Sequence, residues 1–334
     1  MNPFATPIDT GAVALGAAVA LAALLVVVRA AGRLGLADDG TDAPERKSQR
    51  AAVPLAGGPA LALAAIALVV WPDAGSTRHV VPWFPGDPLA FERGAVALAL
   101  AIAFATGLVD DVRARGLKPA WKLLGQSAAG VALTLGLLVQ GEPATGLERA
   151  LLVLCAVAAQ NVANAFDHAD GTLGTVAFLG CASAGTSFLG ALAAFLGFNL
   201  ARPRRGGPPY AFLGDSGSHL LGILLVTSAV GAAALTLPAL DLARVVALRL
   251  RAGQPVWHGD RRHLGQRLQA AGRGPIAVVA LVSLCAAPAF VALGLSIERV
   301  RIPLVGIFLI GAAGSAAVLA LVLWLHPEPA ARAD

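Results

Sequence analysis

Long apolar runs alternate with short polar segments along the chain, and this pattern predicts a membrane protein with many spans. A membrane-spanning helix needs about 20 mostly apolar residues, and eight separate runs approach or exceed that length. A further apolar run, 171–199, is long enough for two short helices that break near Ala184-Gly185-Thr186. Residues 238–250 form a shorter amphipathic segment that fits a broken or interfacial span. The eight runs are 11–30, 51–71, 93–109, 120–140, 147–163, 216–237, 274–295 and 303–325.

The runs predict an all-α integral membrane protein: one transmembrane domain over residues 1–334, built as a polytopic bundle of 10–11 transmembrane helices. Composition excludes a soluble globular domain, because 57% of the residues are hydrophobic and only 13% are charged. Soluble domains average about 45–50% apolar residues, even with glycine counted, and about 25% charged residues. The three cysteines lie inside apolar runs, so they indicate packing rather than a metal site or a disulfide framework.

Basic residues predict the orientation of the bundle. Residues 1–10 contain no Lys or Arg, so the first run lacks the basic start of a signal peptide, and Arg29 and Arg33 follow that run. With eleven alternating spans, five of the 25 Lys and Arg residues fall outside and the other 20 fall inside. Cytoplasmic loops are enriched in Lys and Arg. We therefore expect a multi-pass protein of the bacterial inner (cytoplasmic) membrane, with its N-terminus outside the cytoplasm.

Two predicted inner loops place carboxylates beside helix ends. Asp110 and Asp111 end one apolar run, and basic residues that include Lys122 follow them. That arrangement fits a solvated helix end, but it also suits a polyphosphate substrate. The segment NVANAFDHADG (161–171) places Asn164 and Asp167 three residues apart, so one helical turn presents both to one site. The simpler interpretation of this segment is an Asp-Gly turn.

A third inner loop, FLGDSGS (212–218), places Asp215 between glycines just before a long helix. Asp215 or the serine after it fits an N-cap, and the flanking glycines also allow backbone amides to approach a phosphate. Taken together, the three loops place five carboxylates on one face of the bundle. Oxygen ligands suit Mg²⁺ or Mn²⁺ better than Zn²⁺. Phosphate-transfer chemistry at the inner membrane surface is the resulting hypothesis.

In order and spacing, these motifs resemble those of the polyprenyl-phosphate N-acetylhexosamine-1-phosphate transferases, which form glycosyltransferase family 4. The resemblance runs from about Leu34 to Arg273 and implies the polytopic helical fold of that family. The motifs that carry it are ERKSQRAAVPLAGG (45–58), the Asp110-Asp111 loop with Lys122 and Gln126, NVANAFDHADG (161–171), FLGDSGS (212–218), LPALD (237–241) and HGDRRHLGQRL (258–268).

The resemblance implies a reaction between a UDP-sugar and a polyprenyl phosphate, which yields a polyprenyl-diphospho-sugar and UMP with Mg²⁺ (or Mn²⁺) as the cofactor. The PLAGG and DRRH patterns are more similar to the GlcNAc branch than to the muramoyl-pentapeptide branch. The expected donor is therefore UDP-GlcNAc, and the expected acceptor is undecaprenyl phosphate. Such a reaction is the first membrane step of cell-envelope glycan synthesis, as in cell-wall or lipopolysaccharide production. The partners are then the two substrates and the bilayer, with no nucleic acid, and a homodimer stays open.

The resemblance also implies roles for individual positions, in an active site built from the predicted cytoplasmic loops 31–50, 110–119, 161–171, 200–215 and 251–273. Asp215 is the expected metal ligand, and Phe212 is expected to stack on the uracil. The expected catalytic residues are Asp110, Asp111, Lys122, Asp167 and His263. The expected substrate-binding residues are Arg50, Asn164, His168, Asp170, Phe212 and Arg261.

The last loop departs from the family pattern D-R-x-H-x-H-H-R. Asp260, Arg261, His263 and Arg267 match, but Gly265 and Gln266 stand where two further histidines are usual. These positions belong to the expected sugar-nucleotide site, so altered sugar choice and a catalytically impaired relative both stay open. The incomplete histidine motif disfavours a lipid I-forming phospho-MurNAc-pentapeptide transferase. A cation-coupled transporter is a further alternative, although its acids should lie near mid-membrane in repeated, discontinuous helices.

Overall fold

The computed structural model describes residues 8–38, 52–69, 93–113, 116–139, 144–184, 186–204, 207–256, 261–299 and 304–327. Helices dominate these residues, with one small β ladder. The helices are α1 Thr10–Leu34, α2 Gly57–Val69, α3 Arg93–Val112, α4 Pro119–Val139, α5 Gly146–Phe166, α6 Thr172–Ala184, α7 Leu189–Leu200, α8 Gly214–Val226, α9 Ala229–Arg251, α10 Leu264–Ala270, α11 Pro275–Arg299 and α12 Leu304–Leu325. The strands are β1 Ala37–Asp38 and β2 Val53–Pro54.

The predicted all-α membrane bundle is confirmed. Six helices are long and apolar enough to cross a membrane, and several shorter apolar helices accompany them. Large apolar side chains point outward along them, for example Leu154, Leu309 and Trp324, whereas Gln126, Gln160 and His219 are buried inside the bundle. A surface this apolar around a partly polar interior suits a lipid environment. The long helices are Thr10–Leu34, Arg93–Val112, Gly146–Phe166, Val230–Arg251, Pro275–Leu295 and Val305–Leu325.

Most predicted boundaries agree with the structure, including the two short helices α6 and α7 within the predicted run 171–199. The predicted span 216–237 is wrong, because α8 ends at Val226 and a separate helix, α9, begins at Ala229. Two hydroxyl side chains make the break. Thr227 Oγ1 donates to the Leu224 carbonyl at 2.8 Å, and Ser228, in an extended conformation, accepts the Gly231 N–H at 3.0 Å as the N-cap of α9.

Because α9 begins at Ala229, the predicted segment 238–250 belongs to a longer helix than expected. It is not a separate interfacial piece but the second half of α9, which continues through Pro238 to Arg251. The resulting helix meets the length of a membrane span. The short helix α8, in contrast, is enclosed by its neighbours, because ten of its 13 residues are buried.

Helix α8 occupies the centre of the bundle and packs against α2, α3, α5 and α9. Glycines allow the backbones of α8 and its neighbouring helices to approach most closely. A Cβ on Gly107 of α3 would overlap the backbone of Asp215, and a Cβ on Gly222 of α8 would lie 2.6 Å from the Gln160 Cα of α5. Small residues at helix crossings let backbones meet in membrane proteins. Helix α8 is thereby held close to both α3 and α5, and its first turn contacts α3 directly.

A small β ladder that the hydropathy pattern did not predict lies beside this turn. Strands β1 and β2 pair antiparallel, with Ala37 opposite Pro54. The segment before α8 joins them, because Phe212 donates its N–H to the Pro54 carbonyl and accepts the Gly57 N–H, both at 2.9 Å. The chain around 53–58 therefore fixes the entry into α8.

Candidate active site

Four helices bring a lysine, two aspartates and an asparagine together at one end of the bundle. Lys122 Nζ donates to Asp110 Oδ2 at 3.3 Å and makes a close ion pair with Asp215 Oδ2. The other carboxylate oxygen of Asp215 accepts the Asn164 side-chain N–H at 2.7 Å. Asn164 also donates to Ser218 Oγ at 3.0 Å. The structure thus unites four of the residues that the sequence predicted for the site.

Asp111 has a different environment from its neighbour Asp110. Its two oxygens accept the backbone N–H groups of Asp215 at 2.8 Å and of Ser216 at 3.0 Å, so it caps the first turn of α8. Gly214 makes this contact possible, because it has a φ of +77° and a Cβ there would lie 2.7 Å from Asp111 Oδ2. Asp111 therefore fixes the position of Asp215 in this structure.

Asp167 follows the last residue of α5, and its backbone N–H donates to the Ala163 carbonyl at 3.1 Å. Among the described residues, its carboxylate has neither a hydrogen bond nor an ion pair. Burial raises the pKa of Asp167 well above its ordinary value, and the charges of Asp215, Asp170 and Asp111 raise it further. A partly buried carboxylate that lies among other carboxylates, with no partner among the described residues, is a group that a bound cation would stabilise.

The donor set fits a hard divalent cation. Asp110, Asp167 and Asp215 offer carboxylate oxygens from three different segments, and Mg²⁺ prefers such oxygen ligands together with substrate phosphates. Lys122 already offsets part of the negative charge here. A divalent ion would relieve the remaining repulsion around Asp167.

A second polar layer joins the same helices one turn deeper. Asn161 donates its side-chain N–H to Gln126 Oε1 at 2.8 Å, and Gln126 Nε2 lies 3.1 Å from His219 Nε2. Gln126 and His219 follow Lys122 and Asp215, respectively, by four residues, which is one helical turn. His219 had no predicted role, because it stands alone within an apolar run.

Asp170 is paired with a residue that sequence analysis did not place in the site. It forms a close ion pair with Arg202, which follows α7. Burial raises the pKa of Asp170, and the Arg202 guanidinium partly offsets this effect. The neighbouring Gly171 N–H donates to Asn199 Oδ1 at 2.6 Å. Residues 170–171 are therefore attached to the end of α7.

His168 and His263 form a stacked pair between two loops. Their ring centroids are 4.7 Å apart, and His168 Nε2 accepts the Gly265 N–H at 3.0 Å. Burial is the main cause that lowers the pKa of His168 to about 4, and the neighbouring His263 lowers it further. The ring of His168 is therefore neutral at pH 7. His263 Nδ1 lies 2.8 Å from Asp241 Oδ2. Asp241 is fully buried, and the sequence had marked it only as the end of the LPALD motif.

Ligand atoms of His168, Asp241 and His263 lie within 4.8 Å of one another, which is close enough to consider a metal ion. The contacts argue for a hydrogen-bonded cluster instead. The Arg244 guanidinium donates to Asp241 Oδ1 at 2.8 Å and supplies positive charge there, and the Nε2 lone pair of His168 already accepts the Gly265 N–H.

Of the remaining predicted site residues, the structure describes Phe212 and Arg261. Phe212 is half-buried and packs against the hydrophobic core, with its backbone fixed by β2. Arg261 is exposed, two residues before His263. Outside the described residues lie Arg50, with the rest of the predicted loop from residue 39 onward, and residues 258–260 of the last motif.

A cleft opens beside Asp110, between the ends of α3 and α4. Two adjoining cavities of about 610 Å³ each share the lining residues Arg113, Leu117 and Trp121. The Leu117 N–H donates to Asp110 Oδ1 at 2.6 Å, so the wall of the cleft contacts the site directly.

Comparison with known proteins identifies the segment that holds these residues. The profile of glycosyl transferase family 4 matches residues 94–233, which include Asp110, Lys122, Asn164, Asp167 and Asp215. The chain belongs to glycosyl transferase family 4.

Two curated relatives resemble the chain. A Streptomyces coelicolor protein, named only as a glycosyltransferase, is 30% identical over 271 residues, covering 72% of this chain and 61% of the relative. The decaprenyl-phosphate N-acetylglucosaminephosphotransferase of Mycobacterium tuberculosis is 28% identical over 250 residues, covering 57% of this chain and 60% of the relative. The chain thus spans about three fifths of the length of the curated relatives it matches.

Proposed function

We propose that this family 4 protein transfers GlcNAc-1-phosphate from UDP-GlcNAc to undecaprenyl phosphate and releases UMP. The observation that carries the proposal is the cluster in which Lys122 joins Asp110 to Asp215. The carboxylate of Asp167, which has no partner in the described part of the chain, adds to the negative charge there. Phosphoryl transfer depends mainly on positioning and on the neutralisation of charge. Lys122 can neutralise phosphate charge directly, and the carboxylates can hold a divalent cation that would neutralise more of it and position the diphosphate.

In the proposed reaction, an oxygen of the lipid phosphate attacks the phosphorus next to the sugar. The bond from that phosphorus to the oxygen of UMP breaks, and UMP leaves with the electron pair. A lipid phosphate is largely ionised at neutral pH, since the second pKa of a phosphate monoester is about 6. The reaction therefore needs little help from a general base, and Lys122 serves to neutralise the phosphates.

We assign Mg²⁺ to Asp215, with Asp110 and Asp167 as further carboxylates that would support the ion. When bound, the ion would offset the charge of the diphosphate and orient it. Asn164 would then hold the Asp215 carboxylate through its 2.7 Å hydrogen bond. Asp111 acts through the backbone of α8, since its oxygens already accept the N–H groups of Asp215 and Ser216.

The cleft beside Asp110 suits the approach of the acceptor. Trp121 and Leu117 give it apolar walls, and Arg113 and Lys118 give it positive charge. An isoprenoid chain can stay in the bilayer along such walls while its phosphate reaches Asp110 and Lys122. We propose that the donor binds on the side of the carboxylate cluster away from this cleft. There we assign the uridine to Phe212 and Asp170, and the phosphates and sugar to Arg50, Arg261 and His263.

The choice of GlcNAc has support from the Mycobacterium tuberculosis relative, whose name specifies a decaprenyl phosphate acceptor and N-acetylglucosamine phosphate. The bias of basic residues supports a site that faces the cytoplasm, in the bacterial inner membrane. The product would then start a cell-envelope glycan. A catalytically impaired relative is the second candidate, because Gly265 and Gln266 replace two expected histidines.

The test is a donor panel with purified protein in detergent. Undecaprenyl phosphate and Mg²⁺ are supplied with UDP-GlcNAc, UDP-GalNAc or UDP-MurNAc-pentapeptide, and UMP release is measured. We expect release with UDP-GlcNAc, and we expect it to stop with EDTA and in Asp215→Asn. The matched control is Asp9→Asn, which keeps an N-capping side chain on α1. No release with any donor from folded protein would favour the impaired relative, and release from Asp215→Asn would remove that residue as the metal ligand.

A further inference from the structure

Both ring nitrogens of His168 have partners within the protein, which is unusual for a residue expected to contact a substrate. Its Nδ1 lies 3.0 Å from the Ala165 carbonyl, and its Nε2 accepts the Gly265 N–H at 3.0 Å. The backbone donor fixes the tautomer, so the ring proton resides on Nδ1. One ring face stacks on His263, and Phe166 packs edge-on at a centroid distance of 5.3 Å. Neither ring nitrogen is free for a nucleotide.

Gly265 has no room for a side chain where it meets His168. A Cβ at this position would lie 2.8 Å from Ala169 Cβ, 2.8 Å from Thr172 Cγ2 and 3.0 Å from His168 Nε2. The 168–172 segment therefore occupies the space that any side chain at position 265 would need. Because Gly265 has no side chain, its backbone comes close enough to donate its N–H to His168.

The same loop is held from its opposite side by α9. The Arg244 guanidinium donates to the Arg262 carbonyl at 2.5 Å and to Asp241 at 2.8 Å. Asp241 also accepts the Leu264 N–H at 3.2 Å and lies 2.8 Å from His263 Nδ1. Residues 262–265 are thus clamped between α9 and His168, with the His263 ring stacked on the imidazole of His168.

We propose that His168 is a positioning residue that fixes the last loop and orients His263 toward the sugar nucleotide. This inference rests on the proposed function and replaces the expected contact between His168 and uridine. An imidazole from the 167–171 loop thereby takes the place that a side chain at position 265 cannot fill. The departure at Gly265 is then compensated within the chain and is no sign of lost activity.

The test compares His168→Leu, which removes the acceptor, with His168→Gln, which keeps an acceptor close to the position of Nε2. Loss of one hydrogen bond changes binding by about three- to tenfold. We expect His168→Leu to raise the KM for the UDP-sugar by that factor, with the KM for the lipid phosphate unchanged and kcat reduced less. His168→Gln should stay within about twofold of the wild type. A purely structural role would lower the amount of active protein and leave both KM values unchanged.

A second readout does not need activity. A spin label at Gln269→Cys, on the exposed side of α10, reports the mobility of this loop. We expect a more mobile spectrum in His168→Leu and a spectrum like that of the wild type in His168→Gln. Unchanged spectra, an unchanged KM for the UDP-sugar in His168→Leu, or a His168→Gln variant as impaired as His168→Leu would each overturn the inference. If the wild type transfers nothing, the proposed function fails, and the spectra still decide whether His168 fixes the loop.

Discussion

Lys122 lies between two carboxylates, Asp110 and Asp215, that would otherwise repel each other. In Lys122→Gln, we expect transfer to fall by about 100-fold or more, because the substitution removes the positive charge that we propose neutralises the reacting phosphates. The measurement is UMP release at saturating substrates. Arg29→Gln is the control, since Arg29 donates only to the Leu25 carbonyl of its own helix in the described structure. Transfer within threefold of the wild type in Lys122→Gln would contradict the assignment.

Asp167 is partly buried, and its carboxylate has no partner among the described residues. A partly buried charge without a partner, repelled by neighbouring carboxylates, destabilises a folded protein. We therefore expect Asp167→Asn to abolish transfer yet to raise the Tm of metal-free protein in detergent. Added Mg²⁺ should raise the Tm of the wild type more than that of the variant. A lower Tm in the variant, or an equal response to Mg²⁺, would show that Asp167 is structural.

The crossing of α3 and α8 connects the fold to the site. Gly107 contacts the backbone of Asp215, so the extra methyl of Gly107→Ala must push the first turn of α8 away from α3. We expect a destabilisation of about 1–3 kcal/mol, measured as a lower Tm, together with reduced transfer. Gly197→Ala in α7 is the matched control, because nothing lies within 4 Å of a Cβ there. Equal behaviour of the two variants would contradict the close packing.

The helices were predictable because apolar length alone identifies a span. The end of α8 was not, since Thr227 and Ser228 are compatible with an apolar run and break it only through local hydrogen bonds. The length of α9 follows from that break.

The candidate site was predictable in part, from the order of its motifs along the chain. Motif order placed Asp110, Lys122 and Asp215 in one site, and the structure brings them together. The capping role of Asp111 and the partnership of Asp170 with Arg202 depend on contacts between segments far apart in the chain. Such contacts leave no signal in local sequence.

At the scale of the whole molecule, the bias of basic residues predicts which end of the bundle faces the cytoplasm. Arg204 precedes α8 at the end that holds the candidate site, and Gly146 begins α5 at the other end. We expect Gly146→Cys to react with a membrane-impermeant maleimide in cells whose inner membrane is intact. Arg204→Cys should react only after that membrane is permeabilised. The reverse pattern would invert the orientation and place the site outside.

The central claim is that the sugar moves together with its phosphate. The most direct measurement uses UDP-GlcNAc with a ³²P label on the phosphate next to the sugar, undecaprenyl phosphate and Mg²⁺. We predict that the label passes into the organic phase with the lipid, in equal amount to the UMP released. Label that stays in the aqueous phase as UDP, while sugar passes to the lipid, would contradict the account and indicate transfer of the sugar alone.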